Sequence, residues 1–210
     1  AAEQGQAAAQ SNLGVMYDSG QGVMQGPAEA MRWYRKAAKQ GQAAAQFNPG
    51  LMYDSGRGLK QGPAEAARWF QKAAKQGNAE AQVLIGRAFS DGRGVEKDFA
   101  KAVRWFRKAA DQGNAFAQFN LGNSYANGQG VPQDFAAAEL WFRMAAEQGH
   151  ASAQTNLGVN YGFGEGVPQD YVIAHMWSNI GAANGNADGA RLRDEYLVPK
   201  MTPSDISEAQ

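Results

Sequence analysis

The sequence contains no cysteine, which excludes disulfide scaffolds, thiolate metal sites and cysteine nucleophiles while leaving the redox compartment open. Histidine is nearly missing too, with two copies among 210 residues. His175 has no second ligand at i+4, and His150 occupies a helix-start slot, so no metal site is expected. No apolar run approaches the roughly 18 residues needed to cross a bilayer. There is no Walker loop, no Ser-His-Asp order and no paired-carboxylate signature. The chain therefore reads as non-enzymatic, without catalytic residues or cofactors. Val and Ile runs are scarce, so strands have little to build on.

Glycine, by contrast, is plentiful at 26 residues, and it is regularly placed. Gly5, Gly41, Gly77, Gly113, Gly149 and Gly185 are each 36 residues apart. All five tryptophans (Trp33, Trp69, Trp105, Trp141, Trp177) keep the same period, as do Gly14, Gly50, Gly86, Gly122 and Gly158. A fixed period of this length is the signature of a repeat architecture. The expected boundaries are about 5–40, 41–76, 77–112, 113–148 and 149–184, with a C-terminal cap over 185–210. One solenoid over 1–210 is expected.

Each repeat reads as two helices, A and B. In the first, Ala9, Leu13, Gly14 and Tyr17 share one face of helix A at helical spacing. Gly20 suits the left-handed position after a helix end. A Gly-x-Gly-Val loop follows, with copies at Gly56/Gly58/Leu59, Gly92/Gly94/Val95, Gly128/Gly130/Val131 and Gly164/Gly166/Val167. Helix B opens on Pro27 or Pro63 at its first turn, and on the N-cap carboxylates Asp98, Asp134 and Asp170 in later copies. Ala30, Trp33, Tyr34, Ala37 and Ala38 form its expected buried stripe. Arg35, Lys36 and Lys39 gather where they complement the helix dipole. A lone hairpin cannot bury such a face, so neighbours must stack into a superhelix.

The motif Ala-x-Ala-Gln-x-x-Leu-Gly-x-x-Tyr-x-x-Gly-x-Gly-Val-x-x-Asp, then Ala-x-x-Trp-x-x-x-Ala-Ala-x-Gln-Gly, is clearest at Ala115–Gly149. It closely resembles the SEL-one-like repeat family, relatives of the tetratricopeptide repeat, and the resemblance covers about residues 4–183. The segment from Met201-Thr202-Pro203 to Gln210 looks like a common ending of bacterial members. The resemblance implies an all-α fold, a right-handed superhelix of antiparallel helix pairs with helix A lining its concave side. It also implies an adaptor role in protein complexes, in a bacterial periplasm or outside the cell more than in the cytoplasm. No shared catalytic residues come with it. The β-lactam binding linked to cysteine-rich members does not carry over, because those cysteines are missing here. The opening Ala1-Ala2-Glu3-Gln4-Gly5 is identical to Ala145–Gly149, which leads us to expect that the chain starts inside a preceding repeat.

Departures from the pattern point to function. Pro49 stands where other copies have Leu13, Ile85, Leu121 and Leu157, so helix A of the second repeat should be kinked or start late. Turning about 100° per residue from the core face exposes a second helix A surface. It carries Asn12, then Phe47 and Asn48, then Arg87, then Phe116, Phe119, Asn120 and Asn123, and finally Asn156, Asn160 and Phe163. The amide slot Asn12/Asn48/Asn120/Asn156 can bond both sides of an extended peptide backbone, and the phenylalanines would act as apolar anchors. The competing reading has the slot of Phe47 and Phe119 packing against the neighbouring repeat and the asparagines bracing turns.

Charge is also uneven: residues 1–111 carry 16 Lys and Arg against 10 Asp and Glu, and residues 112–210 carry 4 against 10. Such asymmetry orients a charged partner or merely reflects drift among solvated faces. The acidic half speaks against nucleic acid. The sequence thus points to a scaffold for a protein or peptide partner, with a glycan gripped by the same residues as the alternative.

Overall fold

The computed structural model describes residues 5–41, 43–57 and 60–209. The opening Ala1–Gln4, Gln42, the Gly58–Leu59 copy of the loop and Gln210 lie outside the described residues. Among those described, the regular structure is entirely helical, and the chain is a solenoid of helix pairs. It divides into two compact units, Ala1–Ala109 and Ala110–Gln210.

The N-terminal unit holds three hairpins: α1 (Ala7–Ser19) with α2 (Pro27–Lys39), α3 (Ala43–Ser55) with α4 (Pro63–Lys75), and α5 (Ala79–Asp91) with α6 (Phe99–Ala110). In the C-terminal unit α7 (Ala115–Asn127) pairs with α8 (Phe135–Glu147), and α9 (Ala151–Phe163) with α10 (Tyr171–Ala183). A cap follows: α11 (Ala187–Arg191), a π-helical stretch over Leu192–Leu197, a 3-10 turn over Val198–Lys200, and α12 (Pro203–Glu208).

Local chemistry sets where helices begin and end. Asn78 and Asn114 cap α5 and α7 by accepting the N–H groups of Ala81 and Ala117 at 2.7 and 3.0 Å. His150 does the same for α9 through Nδ1 at 3.3 Å. Asp98, Asp134 and Asp170 cap the helix B copies, satisfying amides that a helix start leaves unbonded. Gly20, Gly92, Gly128 and Gly164 end their helices in the left-handed region. The second loop glycine has a separate reason. A Cβ on Gly94 or Gly166 would strike the backbone of Pro63 or Phe135, the first residue of the preceding helix B.

Inside each hairpin, a helix A glycine seats a helix B ring. A Cβ on Gly14, Gly50, Gly86 or Gly122 would come within 2.5–2.6 Å of Tyr34, Phe70, Phe106 or Phe142. In the fifth repeat Ser178 replaces the ring opposite Gly158. Between repeats, a glutamine clamp recurs. Gln46, Gln82, Gln118 and Gln154 donate Nε2 to Ala38, Ala74, Ala110 and Ala146, carbonyls at the end of the preceding helix B. Gln76, Gln148 and Asn184 donate in turn to Oε1 of Gln46, Gln118 and Gln154 at 2.7–2.8 Å. The buried glutamines Gln46, Gln82, Gln118 and Gln154 thereby satisfy carbonyls that a helix end leaves without a partner.

Of the two outcomes expected at Pro49, a late start does not occur: α3 runs from Ala43 to Ser55, through a buried Pro49, with the same 13 residues as α1. One expectation needs correction. The tryptophans Trp33, Trp69 and Trp105 are half-buried rather than core. Lys36, Lys72 and Lys108 lie over their rings at 4.2–4.8 Å, and Met31, Ala67 and Val103 take the deeper places.

Candidate functional site

The residues expected on the outer surface of helix A fall in both units. In the N-terminal unit Asn12 on α1 is exposed. Phe47 on α3 is half-buried, its ring 5.9 Å from that of Phe70 in the same hairpin. Asn48 lines an open cleft of about 210 Å³ with Asp18, Tyr34, Leu51, Met52 and Arg57. Arg87, exposed on α5, lines a cleft of about 90 Å³ with Asp54, Phe70, Leu84 and Arg93. The two clefts are one feature a repeat apart: Asp18, Tyr34, Asn48, Leu51 and Arg57 become Asp54, Phe70, Leu84, Arg87 and Arg93. An inter-repeat ion pair closes one side of each, Arg57–Asp18 and Arg93–Asp54, both 3.1 Å. Burial, reinforced by the Asp18 charge, pushes the Tyr34 hydroxyl up to about 12, so it stays a neutral donor.

In the C-terminal unit the residues lie on α7 and α9. Phe116 is 64% exposed and Phe163 48% exposed. Between them in slot order come the half-buried Asn120, Asn123 and Asn156. Asn156 Nδ2 donates to Asn123 Oδ1 at 3.2 Å, a rung joining neighbouring helix A copies. Asn120 Nδ2 donates instead to the Phe116 carbonyl of its own helix at 2.6 Å. Phe119 turns inward, 6.0 Å from the Phe142 ring and stacked 4.6 Å from His150. Phe116 meets the same imidazole edge-on at 5.0 Å, and Phe163 stacks on Tyr196 of the cap at 4.6 Å. Burial holds His150 below the usual histidine range, so it remains a neutral cap and a ring for the phenylalanines to pack on.

One residue leaves the candidate set. Asn160 is only 3% exposed, and its Nδ2 has no partner among the described residues. Its slot-mate Met52 packs with Ala30, Met31 and Tyr34 of the preceding helix B, so this slot faces the seam between repeats rather than solvent. Sequence reasoning missed a second feature of that seam. Glu139, buried on α8, binds Arg143, whose Nη2 also donates to the Tyr161 hydroxyl at 2.7 Å. Arg35 and Tyr53 make the same bond at 2.6 Å in the N-terminal unit. The period alone signals it, since both arginines and both tyrosines lie on it. Burial alone would lower the Arg143 pKa, and its bonds to Glu139 and Tyr161 outweigh that, so it stays cationic. Among the described residues there is no cluster of three or more His, Asp or Glu that could hold a metal, and no helix long and apolar enough to cross a membrane.

Comparison with known proteins gives the chain its relatives. The Sel1 repeat family model matches five consecutive segments: 7–42, 43–78, 79–114, 115–150 and 151–186. A crystal structure of a protective antigen of uropathogenic Escherichia coli strains displaying an SLR fold is 37% identical, with a TM-score of 0.91. That match covers 99% of this chain but only 45% of the Escherichia coli protein. A Sel1 repeat protein from Oxalobacter formigenes is 35% identical over 99% of this chain and 86% of its own, with a TM-score of 0.87. A Sel1 repeat structure from Klebsiella pneumoniae, 24% identical with a TM-score of 0.55 over 92% of this chain and 94% of that one, shares the fold. No curated protein matches the chain. Sel1-repeat proteins are in general protein-interaction scaffolds. With five contiguous repeats matched and two solved relatives above 30% identity, this chain belongs to the Sel1 repeat family.

Proposed function

We propose that the chain is a non-enzymatic scaffold that binds a protein or peptide partner on its helix A surface. The observation that carries the reading is the α7–α9 face, where Phe116 and Phe163 stand exposed beside the amides of Asn120, Asn123 and Asn156. Large apolar groups flanked by side chains that both donate and accept suit an extended backbone with anchoring side chains. The N-terminal unit adds clefts of about 90 and 210 Å³. These are below the ~300–1,000 Å³ of small-molecule sites, and suit a single side chain better. Phe47 and Phe119 act here as braces rather than contacts, each packed on the ring of its own hairpin.

Selection of a displayed random peptide library on the 210-residue chain tests the proposal. Phe116→Ala and Asn120→Ala should weaken selected peptides by about tenfold each, the ~1.4 kcal/mol scale of an interface hot spot, without lowering the melting temperature. Unchanged affinity retires this face. Saturable binding on a glycan array, with no peptide selected, transfers the same aromatics and amides to a carbohydrate partner.

A further inference from the structure

The outer face of helix B carries a second pattern, independent of the helix A surface. In the N-terminal unit one slot reads Arg32, Arg68, Arg104, and the slot four residues on reads Lys36, Lys72, Lys108; all six are exposed. Lys39 and Lys75 extend the rows on α2 and α4. Like charges at i and i+4 repel; the lysines are compensated by the helix C-terminal dipole, but Arg32, Arg68 and Arg104 lie before the last turn, where that effect has faded. The fold does not demand these cations. The same slots in the C-terminal unit hold Leu140 and Met144, then Met176 and Ile180, on helices of 13 residues like α2 and α4.

On α2 and α4 local carboxylates leave most of the rows unmatched, whereas Arg104 of α6 lies in the field of Asp98. Arg32 has a long pair with Glu29 at 3.6 Å. Among the described residues, no carboxylate pairs with Arg68, Lys72 or Lys75. The lysines of the second slot are held in place, each over the tryptophan three residues before it. Open troughs run beside the cations. One of about 380 Å³ is lined by Met31, Arg32, Arg35, Lys36 and Lys39, and one of about 300 Å³ by Lys101, Arg104, Trp105 and Lys108.

We propose that this face of α2, α4 and α6 docks an acidic protein segment, a stretch rich in Asp and Glu laid across successive helices. Successive ranks lie on helices separated by a helix A, so a stretch with carboxylates at short intervals, rather than one acidic residue, is needed to reach an Arg fork or a Lys on each. An anionic lipid surface fits less well, because none of the exposed large hydrophobic side chains lies on these three helices to insert. Nucleic acid fits less well again: stacking needs open aromatic faces, and Trp33, Trp69 and Trp105 are covered by their lysines.

The test uses the whole chain and a fluorescein-labelled peptide of about ten residues with glutamate at every third position, titrated by polarisation at ~0.05 M and ~0.5 M salt. Binding is expected at low salt and is lost at high salt. Arg68→Gln/Lys72→Gln should weaken it about five- to tenfold, as two exposed ion pairs would. Arg68→Leu/Lys72→Met, which copies the residues of the fourth repeat, should do the same while melting as the parent does. Lys60→Gln/Lys97→Gln removes the same charge elsewhere in the unit and should change affinity less than about twofold. Equal weakening by both charge-removing pairs reduces the effect to net charge and overturns the proposal. So does no binding at low salt, or tighter binding to phosphatidylserine vesicles, to duplex DNA or to a second copy of the chain.

Discussion

Replacing Gly122 with alanine sets two effects of known size against each other. In an open helix interior the change stabilises by about 0.5–1 kcal/mol, because glycine loses more backbone freedom on folding. At this position the new methyl would lie 2.6 Å from both Cδ1 and Cε1 of Phe142. That ring cannot step aside. It is 2% exposed and packed among Ala138, Ala145, Ala146, Ala153 and Leu157. Overpacking of this kind costs about 1–3 kcal/mol, so on balance the clash wins and the net loss should be about 1 kcal/mol, and at most ~2.5. The sign should reverse when the ring is removed. Phe142→Ala alone costs about 3–5 kcal/mol, but on that background Gly122→Ala should stabilise by about 0.5–1 kcal/mol. Urea unfolding followed by far-UV circular dichroism on the four chains of the cycle measures both numbers. A stabilising Gly122→Ala in the parent, or the same cost with and without the ring, would refute the seating of helix B rings on helix A glycines.

Three further outcomes follow from the same packing. Gln154→Ala strips the buried Ala146 carbonyl of its partner and should cost roughly 1–3 kcal/mol in urea unfolding, whereas a loss below ~0.5 kcal/mol would demote the glutamine clamp to decoration. Pro49→Leu restores a backbone donor at a buried slot that holds Leu121 and Leu157 elsewhere, and should raise stability by up to ~3 kcal/mol; no gain would mean that the second repeat has adapted to its proline. His150 and His175 are both held below the usual histidine value of about 6.5, chiefly by burial. The unfolded chain therefore binds more protons below that value, so stability is complete above about pH 6.5 and falls as the pH drops toward the folded values. His150→Asn, the cap used by other repeats, should flatten part of that fall, and an unchanged pH profile would show that His150 does not contribute to it.

The sequence carries the parts of this fold that depend on local chemistry. The cap carboxylates Asp98, Asp134 and Asp170, the helix-ending glycines and the proline first turns need only their own neighbours in the chain, so period and residue type suffice. What depends on a third dimension was harder to read. A helical wheel gives the angle at which Gln118 leaves its helix, but not that the Ala110 carbonyl waits there. The same wheel placed Asn160 with the exposed asparagines, because a step of about 100° does not separate a seam between repeats from an open face. Phe47 and Phe119 share a slot facing the hairpin partner, while Phe116, three residues before Phe119, faces outward. The lysines of helix B read correctly as complements to the helix dipole. Their meaning as ranks emerges only from the apolar residues that replace them in the fourth and fifth repeats.

The central claim, that the helix A surface of α7 and α9 is where a partner binds, is tested most directly on its own amides. In an NMR titration of the chain with a library-selected peptide, the side-chain amide resonances of Asn120, Asn123 and Asn156 should move or broaden saturably. Those of Asn179 and Asn184 on the helix B side should stay in place. Saturation with the three groove amides unmoved, and shifts gathered on α8 and α10 instead, would contradict the account.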